Sequence, residues 1–321
     1  DIMIKLENII EFIKDQIIQI EGSYQGVEIE GLADLRNRNS KYLDWIHPNS
    51  KRPQERAETS KSKVIIANQD VYYNDSMKND GKILIQVKDP YLTIANIGNE
   101  FFAQKEKPII HPTAIIDKDA KIGIDVNIGA YSIIGSCVIG GNSIIQENVI
   151  IRDCVRIGNK VFIKSGAIIG NPGFGFVKNE KSEWGKFPQI GNVIIEDNVE
   201  IGSNVCIDRG ALSTTNIGYG TKIDNLTQIA HNVKIGKNCI IAGNVSIAGS
   251  CNIGDNVWIG PSATINNGLT IGSNSFISTG SVVINNLPPN SDVIGNPAEP
   301  KEQYIRKRIS LFKIIKGDNY E

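Results

Sequence analysis

From Ile217 onward an isoleucine recurs at every sixth position through Ile277, and Val283 takes the next slot. The same stride runs upstream through Ile110, Ile116, Ile122, Ile128 and Ile134, slips by one residue, and resumes from Ile139 to Ile169. Neither a helix, repeating near 3.6 residues, nor a heptad seam can hold a six-residue stripe on one face. A short extended segment followed by a corner can, if each hexad forms one side of a coil. Two positions before the isoleucine stands a compact residue: Cys137, Thr221, Thr227, Val233, Cys239, Val245, Cys251, Val257, Ala263 or Ser275. Strand alternation turns that slot inward with the isoleucine. Gly, Asp or Asn often follows the isoleucine, as in Ile235-Gly236 and Ile253-Gly254, and is expected to form the tight corner.

Residues 1–105 lack the hexad. Leu6, Ile9, Ile10, Ile13 and Ile17 predict a helix, while Val64–Ala67 and Ile83–Val87 predict strands. Asp89-Pro90 opens a second helix with proline at its first position. A small α/β domain over 1–105 fits, followed by a Lys105–Pro108 linker and a solenoid over 109–286. Two prolines, Pro288 and Pro289, then break the repeat, and 287–321 form a cap with a basic helix carrying Lys301, Arg306, Lys307, Arg308, Lys313 and Lys316. Such a solenoid needs covers at both ends, because an open last coil exposes a strand edge.

Composition narrows the function. With 321 residues, 40% apolar and a net charge of −1, the chain can build a core, and it lacks the broad basic surface of a nucleic-acid binder. No run nears the roughly 18 apolar residues of a membrane span, and no basic-then-apolar signal pattern opens the sequence. Five scattered cysteines without a CxxC pair read as reduced thiols of a cytoplasmic protein, with no disulfide framework and no metal site. Histidines number three, and only His231 lies within the solenoid proper, which argues against a three-histidine zinc enzyme. An ice-binding solenoid would want flat threonine ladders.

Two insertions interrupt the repeat. The longer, residues 170–191, carries Phe174, Phe176, Trp184, Lys186, Phe187 and Gln189; its aromatics are expected to cover a site or a neighbouring subunit. The shorter lies around Asp208-Arg209-Gly210-Ala211. The segment from Ile223 to Asn232 concentrates the chemistry: Asp224-Asn225, then Gln228-Ile229-Ala230-His231-Asn232. An amine must lose a proton before attacking a thioester, and a histidine is suited to take it. One coil of 18 residues separates His231 from Ser213 on one side and Gly249 on the other, small neighbours that leave a groove for an extended thioester arm.

The hexads resemble those of hexapeptide-repeat acyltransferases, a resemblance that implies a left-handed parallel β-helix. The motifs Gly173–Phe176, Pro188–Gly191, Ile207–Ala211, Asp224-Asn225 and Gln228–Asn232 narrow it to the UDP-3-O-acylglucosamine N-acyltransferases of lipid A biosynthesis. Lys88–Thr93 resembles the segment closing that family's nucleotide-binding domain. The likeness implies a homotrimer with sites between subunits and His231 as general base. It implies an acyl donor on acyl carrier protein or CoA as co-substrate, with no resident cofactor. Asp224 is expected to orient or polarise the site; Asn225, Asn232, Gly249, Phe174, Phe176 and Gln189 to bind acceptor or acyl chain; Trp45 and Asn49 to hold the nucleotide. The basic C-terminal helix would dock an acidic carrier protein. The family's second histidine, two coils beyond the first, is absent here, where the chain reads Ile265-Asn266-Asn267-Gly268-Leu269. That departure leaves a second reading, N-acylation of a nucleotide-linked dideoxy amino sugar from a short acyl-CoA. O-acyl transfer, as in serine or galactoside acetyltransferases, is disfavoured by the Asp-Asn…His-Asn order and the extra N-terminal domain.

Overall fold

The computed structural model describes residues 3–34, 39–103 and 108–316. The expected Lys105–Pro108 linker falls largely outside them. Contacts divide the chain into two compact units, Asp1–Lys105 and Glu106–Glu321.

In the first unit, Val64–Ala67 and Ile83–Val87 form the middle of a five-stranded sheet. Ile17–Glu21 lies antiparallel outside Ile83–Val87, and Tyr42–Trp45 then Gly31–Leu32 lie parallel outside Val64–Ala67. Val64 and Ile66 face one apolar layer while Ile65 and Ala67 face another, which is why these strands read as unbroken apolar runs. Helices α1 (Leu6–Phe12), α2 (Pro53–Thr59), α3 (Asp75–Asn79) and α4 (Pro90–Ile97) accompany the sheet. Asp89 caps α4 by accepting from the Leu92 N–H at 3.0 Å. The predicted first helix ends sooner than its apolar stripe: it stops at Phe12, and Ile17 opens a strand. The β-branched run Ile17-Ile18-Gln19-Ile20 packs better on a pleated edge than in a helix.

The second unit is a three-sided parallel β-helix. Among the described residues, its sides carry ten, nine and eight strands. On side one the strands run from Asn127–Ile128 to Phe276–Ile277, and Asp292–Ile294 adds to that ladder. Side two runs from Ile115–Ile116 to Val282–Val283, and side three from Lys121–Ile122 to Thr270–Ile271. The stacking thus continues past the expected end at 286, because Pro288 and Pro289 occupy a corner instead of a paired strand. Antiparallel Glu299–Pro300 and helix α5 (Lys301–Lys316) finish the unit. From Ile128 onward the isoleucines and the compact slots two residues earlier fill the prism, including Cys137, Cys239 and Cys251, whereas Ile110 at the N-terminal end is exposed. Inward hydroxyls are satisfied across coils: Thr221 Oγ1 donates to the Gly236 carbonyl at 2.9 Å and accepts from the Cys239 N–H.

The corners differ from expectation in one respect. Left-handed backbone falls on the third residue after the isoleucine, as at Asn198, Asn204, Asn232, Asn238 and Asn256. The glycine directly after the isoleucine answers a packing demand instead. A methyl on Gly236 would stand 2.4 Å from Asp255 Oδ1 and 2.6 Å from the Gly254 carbonyl carbon on the next coil.

Candidate active site

His231 leaves the second side just after the strand Gln228–Ile229, at the corner between sides two and three. Its inward neighbour Ile229 fixes the strand, so the imidazole projects outward and is half-buried. Two glycines shape its seat. A methyl on Gly249, one coil above, would fall 2.7 Å from Cε1 and 2.8 Å from Nε2. A methyl on Gly173, in the long insertion, would fall 2.8 Å from Cβ and 3.0 Å from Cδ2. The ring is therefore sandwiched between the next coil and the inserted loop. Its Nδ1 is buried without a hydrogen-bond partner, as is Oε1 of Gln189, 3.0 Å from the same Gly173 methyl position. Above the ring, Asn267 Oδ1 stands 3.2 Å from the Gly249 methyl position, where the sequence lacks the second histidine.

The insertion is an exposed hairpin, Phe176–Lys178 paired with Trp184–Lys186. Its stem is clamped to the solenoid: Arg152 Nε donates to Asn171 Oδ1 at 2.8 Å, and Arg209 Nε to the Gly170 carbonyl at 2.6 Å. Phe174 and Phe176 meet edge to face with centroids 4.9 Å apart, and Phe174 is 87% exposed. Together with Gly173, Phe187 and Gln189 they roof a cavity of about 730 Å³ whose floor is Asp208, Gln228 and Ala230. His231 adjoins this cavity behind Gly173.

Asp208 escaped the sequence reading, although it sits in the quoted Ile207–Ala211 motif; only the coil register reveals that it lies beside Ala230. Gln228 Nε2 donates to its Oδ2 at 3.0 Å, and burial nonetheless pushes its carboxyl up to about 6.

Other expected site residues separate. Asp224 is exposed at the corner between sides one and two, a full prism side from His231 in the same chain. Asn225 Oδ1 accepts from the Ser203 N–H at 2.7 Å, and Asn232 Oδ1 from the Ala211 N–H at 2.7 Å and the Ser213 hydroxyl at 3.3 Å. Both amides brace the preceding coil. In the first unit Trp45, His47 and Tyr91 form an aromatic trio with centroids 5.6–5.7 Å apart. Asn49 instead lines a depression of about 480 Å³ with Lys51, Arg52 and Arg56, tied to the trio by its N–H donating to His47 Nδ1 at 3.0 Å. On α5, Lys301 pairs with Asp292, Lys307 with Glu299 and Arg306 with Glu302, while Ile305, Ile309 and Phe312 are exposed. Among the described residues no three His, Cys, Asp or Glu side chains gather as metal ligands. No described helix is long and apolar enough to cross a membrane.

Comparison with known proteins places this geometry. A family model described as bacterial transferase hexapeptide (six repeats) matches residues 214–249 and 250–285, and one for the hexapeptide repeat of succinyl-transferase matches 192–225. The crystal structure of UDP-N-acetylglucosamine O-acyltransferase from Moraxella catarrhalis superposes with a TM-score of 0.54 at 30% identity, covering 61% of this chain and 77% of that one. The chain belongs to the hexapeptide-repeat acyltransferases. The expected fold, a left-handed parallel β-helix with an N-terminal α/β unit and a C-terminal helix, is the one found. The curated UDP-3-O-acylglucosamine N-acyltransferase of Pseudomonas syringae pv. tomato is 36% identical over 224 residues, 62% of this chain and 60% of that protein. Its namesake from Pseudomonas entomophila is 38% identical over 225 residues, 64% and 62%. The chain thus spans about three fifths of the length of these hexapeptide-repeat relatives.

Proposed function

We propose that this acyltransferase moves an acyl group from a thioester to the amine of a nucleotide-linked amino sugar, with UDP-3-O-(3-hydroxyacyl)glucosamine as acceptor. The observation that carries the reading is the imidazole seated between Gly173 and Gly249 at the rim of the aromatic-roofed cavity. The relatives named above supply the acceptor class. His231 Nε2 takes the amine proton as nitrogen attacks the thioester carbonyl. The tetrahedral oxyanion then collapses, and the proton passes to the departing thiolate. Asn267, on the coil above the ring, would have to turn its amide N–H2 toward that oxyanion to stabilise it. The apolar roof of Phe174 and Phe176 suits an acyl chain, and Gln189, its Oε1 buried without a partner, offers an acceptor to the bound substrate. Trp45, with His47 and Tyr91, offers faces on which a uracil would stack. Lys51, Arg52 and Arg56 by Asn49 offer charge for the diphosphate.

Association into homotrimers accounts for the outward isoleucines of side two, Ile115, Ile133, Ile150 and Ile168, which align in register as a ladder. The donor is acyl carrier protein or CoA; the intramolecular ion pairs on α5 leave fewer cations for an acidic carrier than its sequence suggests. The missing second histidine favours one other reading, a dideoxy amino sugar acylated from a short acyl-CoA. A panel of carrier-bound and CoA thioesters against UDP- and dTDP-amino sugars tests both. Turnover of UDP-3-O-acylglucosamine with a carrier thioester supports the first, and preference for dTDP-sugar with short acyl-CoA rejects it. Replacement of His231 by Ala is expected to lower kcat by at least a thousandfold, and a loss within tenfold would remove its role as base.

A further inference from the structure

Asp208 is an ionisable group on the cavity floor that forms no ion pair among the described residues. The strand Cys206–Asp208 pairs in parallel with Gln228–Ile229, so Asp208 and Ala230 lie side by side, one residue from His231. Its Oδ2 is held by Gln228, while its other oxygen has no donor among the described residues. Arg209, next in the chain, is turned away: Nε donates to the Gly170 carbonyl and Nη2 to the Asp153 carbonyl at 3.3 Å. Lys186 lines the same cavity from the hairpin, yet burial dominates the Asp208 environment and no cation opposes it. A half-buried carboxylate oriented by an amide and left without a counter-ion is a receptor for a positively charged ligand group. A metal ion would want more ligands than this one carboxylate supplies.

We infer that Asp208, oriented by Gln228, binds the primary ammonium group of the acceptor and delivers it to His231, so that this pair selects an amine over a hydroxyl. The inference rests on the N-acyl transfer proposed above and names the device that makes it N-selective. The bound ammonium donates to the open carboxylate oxygen. On losing one proton to the imidazole it becomes the nucleophile, still held beside the small Ala230 side chain; the imidazolium gives that proton to the departing thiolate, and the neutral imidazole then takes the second proton shed by nitrogen as the amide forms and releases it to water. Asp208 is then a substrate-binding residue, and Gln228 positions it.

The test uses the full chain with UDP-3-O-acylglucosamine as amine acceptor, and UDP-glucosamine against UDP-glucose as binding probes. The wild type is expected to bind the amino sugar at least tenfold more tightly than the hydroxyl compound. Asp208→Asn should abolish that preference, leaving UDP-glucose affinity and the donor KM unchanged and raising the acceptor KM tenfold or more. Asp208→Glu should restore part of it. Wild-type turnover of the amine with unaltered selectivity in Asp208→Asn overturns the receptor and leaves the acyl-transfer reading standing. Weakening of both sugars alike assigns Asp208 a merely structural role and also overturns it. A wild type inactive on every amino sugar overturns both.

Discussion

At the residue scale, two glycines seat the imidazole and one carboxylate lines the adjoining cavity. Gly249 has no left-handed backbone to justify it; it is there because the His231 ring lies across its Cα. Gly249→Ala is expected to displace the ring and lower kcat roughly 10- to 100-fold, with a thermal midpoint within a few degrees of wild type; paired kinetics and calorimetry check both. Asp208 illustrates the opposite conflict. A carboxyl whose native value is raised, here from 3.8 to about 6, destabilises the fold once ionised. That penalty is absent below the unfolded value, grows between about pH 4 and 6, and is complete above. Its full expression would be about 3 kcal/mol; water reaching this half-buried group reduces it to about 1 kcal/mol. Lys186 from the hairpin lines the same cavity, while Arg209 is bound to the Gly170 and Asp153 carbonyls. Asp208→Asn should therefore be more stable than wild type by about 1 kcal/mol at pH 8 and equal to it at pH 3.5, measured by urea unfolding. Greater stability with poorer acceptor binding is what a functional carboxylate predicts.

At the scale of elements, the solenoid was legible because its period is written in one residue type. Every isoleucine from Ile217 to Ile277 is buried on the inside, and the compact slots accompany them. What the period conceals is phase at the corners. Glycine after isoleucine suggests a tight turn, whereas the left-handed position belongs to the asparagine two residues later, and glycine serves coil-to-coil contact. The hairpin in 170–191 was visible as an interruption, but its pairing of Phe176 with Lys186 was not, since neither strand alternates cleanly. The site was half legible. His231, Gly249, Phe174, Phe176 and Gln189 converge, while Asp224, Asn225 and Asn232 sit beside the histidine in sequence and do other work or lie elsewhere in space. Six residues along this chain turn a corner, so nearness in sequence misleads. Asp208 and Asn267 join the site only through stacking, a relation that appears in sequence as separations of 23 and 36 residues.

At the scale of the whole molecule, side two changes character along its length. Its outward row reads Ile115, Ile133, Ile150, Ile168 and Cys206, and then Gln228, Ser246 and Thr264. Ile115 is 65% and Ile133 39% exposed, a strip that a single chain has no reason to keep open. Replacing Ile133 and Ile150 by Glu should yield monomers by sedimentation, with the secondary structure of the prism retained, because both side chains point away from the core. The polar rungs begin where the His231 corner begins, so the greasy half of the wall ends at the threshold of the cavity. The proposed surfaces for joining chains and for holding substrate would thereby share one continuous plane. Below the concentration at which protomers part, output per chain should collapse as a steep power of dilution, even though every imidazole remains in place.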